Sequence, residues 1–151
     1  MARINQKLST LHKALGTLRR SIELFPEYKK NIATKATPTE EEIALGLRDS
    51  IVQRFEYCTD LFWKLIKIYL EDVEKITLTT YSPRSVIREA VLAKIISEDQ
   101  GEDCMKMIDS RNLTSHTYRE EVAEDLSAKI SGYYHLMKAT VDAIEDRLKL
   151  N

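Results

Sequence analysis

The 151 residues predict an all-α protein, an antiparallel, up-and-down bundle of four to five helices. Three observations predict the bundle. Apolar side chains recur at steps of three and four over long stretches, which places them on one face of a helix. Thr37-Pro38 and Ser82-Pro83 each join a capping residue to a proline suited to the first helical position. Four glycines and three prolines leave little turn chemistry for a many-stranded sheet. The chain is long enough for one domain, read here as residues 1–151, burying about two thirds of its unfolded surface.

The first helix is predicted over residues 3–24, where Ile4, Leu8, Leu11, Leu15, Leu18 and Ile22 form one stripe. Pro26 and the polar run to Thr37 read as a linker. Thr37, Pro38 and Glu40 then form a capping-box start. From there Ile43, Leu47, Ile51, Phe55, Cys58, Phe62, Leu65 and Tyr69 keep a near-heptad spacing to about Glu74. At about 1.5 Å per residue this is a rod of roughly 50 Å, long enough to be the spine of the bundle. Cys58 falls on the stripe as a small core residue, and Trp63 lies beside it. Ile76 to Tyr81 is rich in β-branched residues but short and without a partner strand, so it reads as a loop. A helix follows Ser82-Pro83 and buries Val86, Ile87, Ala90, Val91 and Ile95; Ser97 to Gly101 breaks it. A shorter helix carries Met105, Met107 and Ile108 and ends near Arg111-Asn112. Val122, Leu126, Ile130, Tyr133, Met137, Val141, Ile144 and Leu148 mark a last long helix. The prominent aromatic residues can serve a homodimer interface.

The charge is uneven. Residues 1–37 carry +6 and the remainder −7, within a total of −1. The basic third fits either a polyanion or acidic partner or an ordinary solvated helix face. The acids Glu40, Glu41 and Glu42 sit in a first turn, where they complement the helix dipole. No run of about eighteen apolar residues predicts a membrane span, and Met1 to Lys7 lacks a signal-like apolar region. Cys58 and Cys104 form no Cys-x-x-Cys pair, so a cytoplasmic location with reduced thiols is the expectation. There is no glycine-rich phosphate loop, no His-Glu-x-x-His and no Gly-x-Ser-x-Gly. Nor is there a Gly-Ser turn with acids spaced for divalent metal, so the chain is not expected to polymerise nucleotides by itself. His12 and His135 fall in helical segments and read as surface residues.

Arg111-Asn112-Leu113-Thr114-Ser115-His116-Thr117-Tyr118 is the densest chemistry in the chain. Its guanidinium suits phosphate oxygens, and its imidazole is the side chain most easily used as acid or base near neutral pH. An Arg and a His this close, without an acid cluster beside them in sequence, point to a phosphodiester more than to a metal. Spacing alone favours a structural role, with Arg111 at the C-terminal dipole of one helix and His116 and Tyr118 in the turn.

Four segments resemble the nucleotidyltransferase substrate-binding proteins, a branch of the HEPN (higher eukaryotes and prokaryotes nucleotide-binding) superfamily. They are Arg54-Phe55-Glu56-Tyr57, Leu61-Phe62-Trp63-Lys64, Ser82-Pro83-Arg84 with Ile87-Arg88-Glu89-Ala90, and the Arg111 to Tyr118 stretch. They run in the family's order across residues 40–120, and the last matches the signature of Arg, polar residue, short gap and His, extended by a Tyr. Cys104 departs from the tryptophan that many members place in that region. The resemblance implies one HEPN-like helical domain over 1–151 that forms homodimers, with two Arg-His motifs facing one cleft. It implies a neighbouring gene for a minimal nucleotidyltransferase and a toxin–antitoxin pair in which the HEPN chain is a metal-independent endoribonuclease. Arg111 and His116 are then the catalytic pair, and Asn112 orients His116 or the RNA. Tyr118 is the residue to which the transferase attaches AMP to neutralise the toxin. The resemblance implies neither a cofactor nor a membrane partner. The alternative is a non-catalytic substrate-binding subunit of a two-component nucleotidyltransferase, with Arg111 and His116 only binding phosphate.

Overall fold

The computed structural model describes residues 1–32, 35–116 and 120–150, with side chains for all of these except 115, 116 and 120–124. Among the described residues there are five helices and no strand: α1 (Ala2–Asn31), α2 (Pro38–Asp72), α3 (Pro83–Leu92), α4 (Glu98–His116) and α5 (Glu120–Leu150). The spine predicted from the heptad spacing is α2, which packs against each of the other four helices. Its start follows from local chemistry. Thr37 Oγ1 accepts from the Glu40 amide at 3.2 Å, and Glu40 Oε1 accepts from the Thr37 amide at 3.0 Å, with Pro38 behind them. Phe55, Phe62, Leu65, Ile66, Tyr69 and Leu70 of α2 are fully buried and form the middle of one continuous apolar core. The loop expected over 76–81 is present, and Ser82 caps α3 with Ser85 as its reciprocal partner.

Three of the expected boundaries shift here, each for a physical reason. The first helix does not stop before Pro26 but runs to Asn31, so the segment read as a linker from Pro26 is helical for its first six residues. A proline inside a helix removes one backbone bond and costs about 3 kcal/mol. Here Pro26 is on the exposed side, while Ile22 and Phe25 pack against the core and hold the helix on course. The first turns of α2 overshoot the core, leaving Ile43 46% exposed although it continues the heptad stripe.

The third helix ends at Leu92, not at Ser97. The Ile95 amide donates to the Ala90 carbonyl at 3.0 Å and the Lys94 amide to Val91 at 3.0 Å, with Lys94 left-handed at φ 59°. That is a Schellman closure, and it folds Ile95 into the core beyond the helix end. Ser97 to Gly101 is then a start instead of a break. Ser97 Oγ accepts from the Gln100 amide at 3.1 Å, and Gln100 Oε1 accepts from the Ser97 amide at 2.8 Å. Gly101 is demanded by the α3–α4 approach, because a Cβ there would lie 2.6 Å from Val91 Cγ2.

Candidate functional site

The site is carried by α4, which does not end near Arg111-Asn112 but continues through His116. Two side-chain contacts hold it in place ahead of the motif. Arg84 of α3 pairs with Asp109. The Ser110 and Tyr133 hydroxyls lie 3.1 Å apart, joining α4 to α5, and Tyr133 stacks on Phe55 of α2 with centroids 5.6 Å apart. Cys104, Met107 and Ile108 are buried beneath.

Arg111 therefore lies inside a helix, not at its C-terminal dipole, and turns toward α2. Its Nε–H donates to Asp60 Oδ1 and its Nη2–H to Asp60 Oδ2, both at 3.1 Å, a two-pronged carboxylate–guanidinium pair. Nη1 lies 3.7 Å from Glu56 Oε2 and 3.5 Å from Thr114 Oγ1, and that hydroxyl donates to the Arg111 carbonyl at 2.7 Å. The hydrogen bonds to Asp60 push the guanidinium above its ordinary value, deeper into its charged form, against the opposing effect of partial burial. The acid cluster that the local sequence lacks is supplied by another helix. Glu56 and Asp60, at positions i and i+4, share a face of α2, and Arg54 of the same turn donates to the Thr17 carbonyl at 2.9 Å, tying α2 to α1. That spacing is the one sequence signal that marks the two carboxylates.

Of the other site residues, Asn112 is exposed on α4. His116 is placed by its backbone as the last residue of α4, and its side chain, like all of Tyr118, lies outside the described residues. Of the two remaining histidines, His135 is exposed as expected. His12 is not a plain surface residue: it is half-buried and bonded to Glu145, joining α1 to α5. Cys58 and Cys104 are both buried, and burial pushes each thiol up to about 12. Among the described residues, no group of three His, Cys, Asp or Glu side chains could hold a metal ion. No helix among them is long and apolar enough to cross a membrane.

A long central α2, a hairpin partner α1 and an α4 that carries the Arg111 segment make a helical bundle whose fold is shared with several solved structures. One solved relative in fold is a tri-AMPylated Shewanella oneidensis HEPN toxin in complex with an MNT antitoxin, with TM-score 0.70 and 14% identity over 95% of this chain and 96% of that one. A toxin–antitoxin complex with AMP-PNP gives TM-score 0.69 and 15% identity over 93% and 96% of the two chains. Closer in sequence is a Thermus thermophilus protein, 30% identical with TM-score 0.68, covering 89% of this chain and 98% of that one. No curated protein matches the sequence. The family model for "nucleotidyltransferase substrate binding protein like" matches residues 6–146, and the chain belongs to that family.

Proposed function

We propose that the chain, acting as one domain over 1–151 and as a homodimer in the cytoplasm, is the HEPN toxin of a toxin–antitoxin pair. It is a metal-independent endoribonuclease, and a cognate minimal nucleotidyltransferase neutralises it. The observation that carries this reading is a cation fixed in direction. Arg111 is held by Asp60 at the head of an Arg-x4-His-x-Tyr segment, on a fold shared with a HEPN toxin solved beside its antitoxin.

In this reaction the RNA 2′-oxygen attacks the neighbouring phosphorus as His116 takes its proton. The 5′-oxygen leaves with a proton given by the imidazolium of the second copy in the homodimer, and the products are a cyclic phosphate and a 5′-hydroxyl. An unperturbed imidazole, with a pKa of about 6.5, suits that exchange. Arg111 stabilises the charge that develops on the non-bridging oxygens. Position 116 follows Asn112 by one turn of α4, which supports Asn112 as the amide that orients His116 or the RNA. Positions 111 and 116 are about 140° apart around a regular helix, which supports a cleft completed by a second copy. The antitoxin joins the Tyr118 phenol oxygen to the α-phosphorus of ATP and releases pyrophosphate. The added phosphate repels RNA from the cleft.

A second reading has support in the Arg111 geometry and the family description. A guanidinium already facing two carboxylates suits binding and presenting a substrate to a nucleotidyltransferase. The two readings separate on expression. The toxin reading predicts growth arrest by the chain alone, relief by its cognate transferase, and a mass gain of AMP units lost in Tyr118→Phe. A harmless chain that only raises the transferase's activity would establish the second reading instead.

A further inference from the structure

We propose that Tyr81 and Trp63 form a stacking subsite for unpaired bases beside Arg111, so that the substrate is single-stranded RNA or the loop of a folded one. The inference rests on the proposed function, which makes Arg111 the group that meets the scissile phosphate. One face of α2 connects the two places. Asp60, Trp63 and Lys67 are spaced by three and four residues, which puts them on one narrow stripe. At one end of the stripe Asp60 holds Arg111 through two bonds of 3.1 Å. At the other end the Lys67 ammonium sits over the Tyr81 ring, 4.3 Å from its centroid. Half-buried Trp63 lies between them, packed against the core, with the Lys64 ammonium 5.8 Å from its ring centroid. A second tie joins the same places from the α3 side: Arg84, three residues after Tyr81, pairs with Asp109, two residues before Arg111.

Tyr81 stands in the loop ahead of α3 and is 59% exposed, although the Lys67 ammonium covers part of its ring. That cation anchors the ring on α2, and the open surface offers a nucleobase an aromatic platform. Charge alone does not account for binding here. Lys67, Arg84 and Arg111 face Glu71, Asp109 and Asp60, so these cations are offset by carboxylates and the bases must supply the affinity. A polyanion drawn only by charge would favour α1, where Lys13, Arg20, Lys29 and Lys30 are exposed. A base reaches Tyr81 only when it is out of a double helix, which selects unpaired RNA. From position 60 to position 67 α2 rises about 10 Å, or about three nucleotides of a stacked strand. The stacked base therefore lies within a few nucleotides of the phosphate at Arg111.

The test uses the full chain and a short 2′-O-methyl oligoribonucleotide, which keeps its bases and phosphates but cannot cyclise. Trp63 is the one tryptophan of the chain, so its fluorescence reports on the subsite. The probe is expected to quench that fluorescence, and an abasic strand of equal length to bind about tenfold more weakly. Tyr81→Ala, at an exposed loop position, should weaken probe binding about tenfold, while Tyr81→Phe keeps it within about twofold. Equal binding of the abasic strand, Trp63 fluorescence indifferent to the probe, or wild-type binding by Tyr81→Ala would overturn the proposal. So would a Tyr81→Ala variant that binds the probe normally but loses the transferase, which would make this face a protein contact. Binding needs no turnover, so the two readings fail separately. A chain that binds the probe through Tyr81 yet never cuts RNA sinks the ribonuclease reading and keeps the subsite. RNA cleavage by Tyr81→Ala at the wild-type KM does the reverse.

Discussion

Cys58 and Cys104 are held in the core on α2 and α4, and burial pushes each thiol from 9.0 up to about 12. Only the thiolate is a strong nucleophile, so both should resist a thiol reagent at pH 8 until the protein is unfolded. The same shift sets a sign for stability. Above pH 9 the unfolded chain loses these protons and the folded one keeps them, so each thiol's contribution is intact below pH 9 and lost as pH rises toward 12. Each should steepen the alkaline loss by about 1.4 kcal/mol per pH unit in that window. Denaturant unfolding across pH 9 to 11 checks this: the slope should flatten in Cys58→Ala, and an unchanged slope would refute it. At this scale the sequence was informative wherever a residue's role depends on its own helix, as with Cys58 on the heptad stripe. Asp60 and Glu56 were not legible as partners of Arg111, because 51 residues separate Asp60 from Arg111 and only the α2–α4 packing joins them.

Among the elements, starts were easier to read than ends. Thr37 and Ser82 announce their helices through side chains that bond within three residues, so the signal is entirely local. Ser97 with Gln100 carries the same signal, but the polar composition of Ser97 to Gly101 gives it the look of a break. Pro26 misled in the opposite direction, because the packing of its neighbours outweighs its local cost. The end of α3 rests on a left-handed Lys94, a conformation that costs a residue with a Cβ about 1 kcal/mol and glycine almost nothing. Lys94 is exposed, and its carbonyl, not its side chain, accepts from Arg147. Lys94→Gly should therefore stabilise the protein by about 0.5 to 1 kcal/mol in chemical denaturation. A loss of stability would mean that the Schellman closure is not the conformation this turn adopts.

For the whole molecule, the arrangement around α2 makes the site. The helix that forms the middle of the core also presents Asp60 and Glu56 on its outer face, and α4 delivers Arg111 to them. The all-helical fold was legible because a 3.6-residue periodicity shows in the sequence wherever one face of a helix is buried. The site was half legible: the cation and the imidazole stand together in the chain, while the carboxylates that aim the cation come from across the bundle. The central claim is that Arg111 and His116 act on RNA, and the most direct measurement is cleavage of a labelled RNA by the purified chain with chelator present. The account predicts products ending in a cyclic phosphate, with the rate falling by about a hundredfold or more in Arg111→Ala and in His116→Ala. Folded variants that cut at the wild-type rate would contradict it.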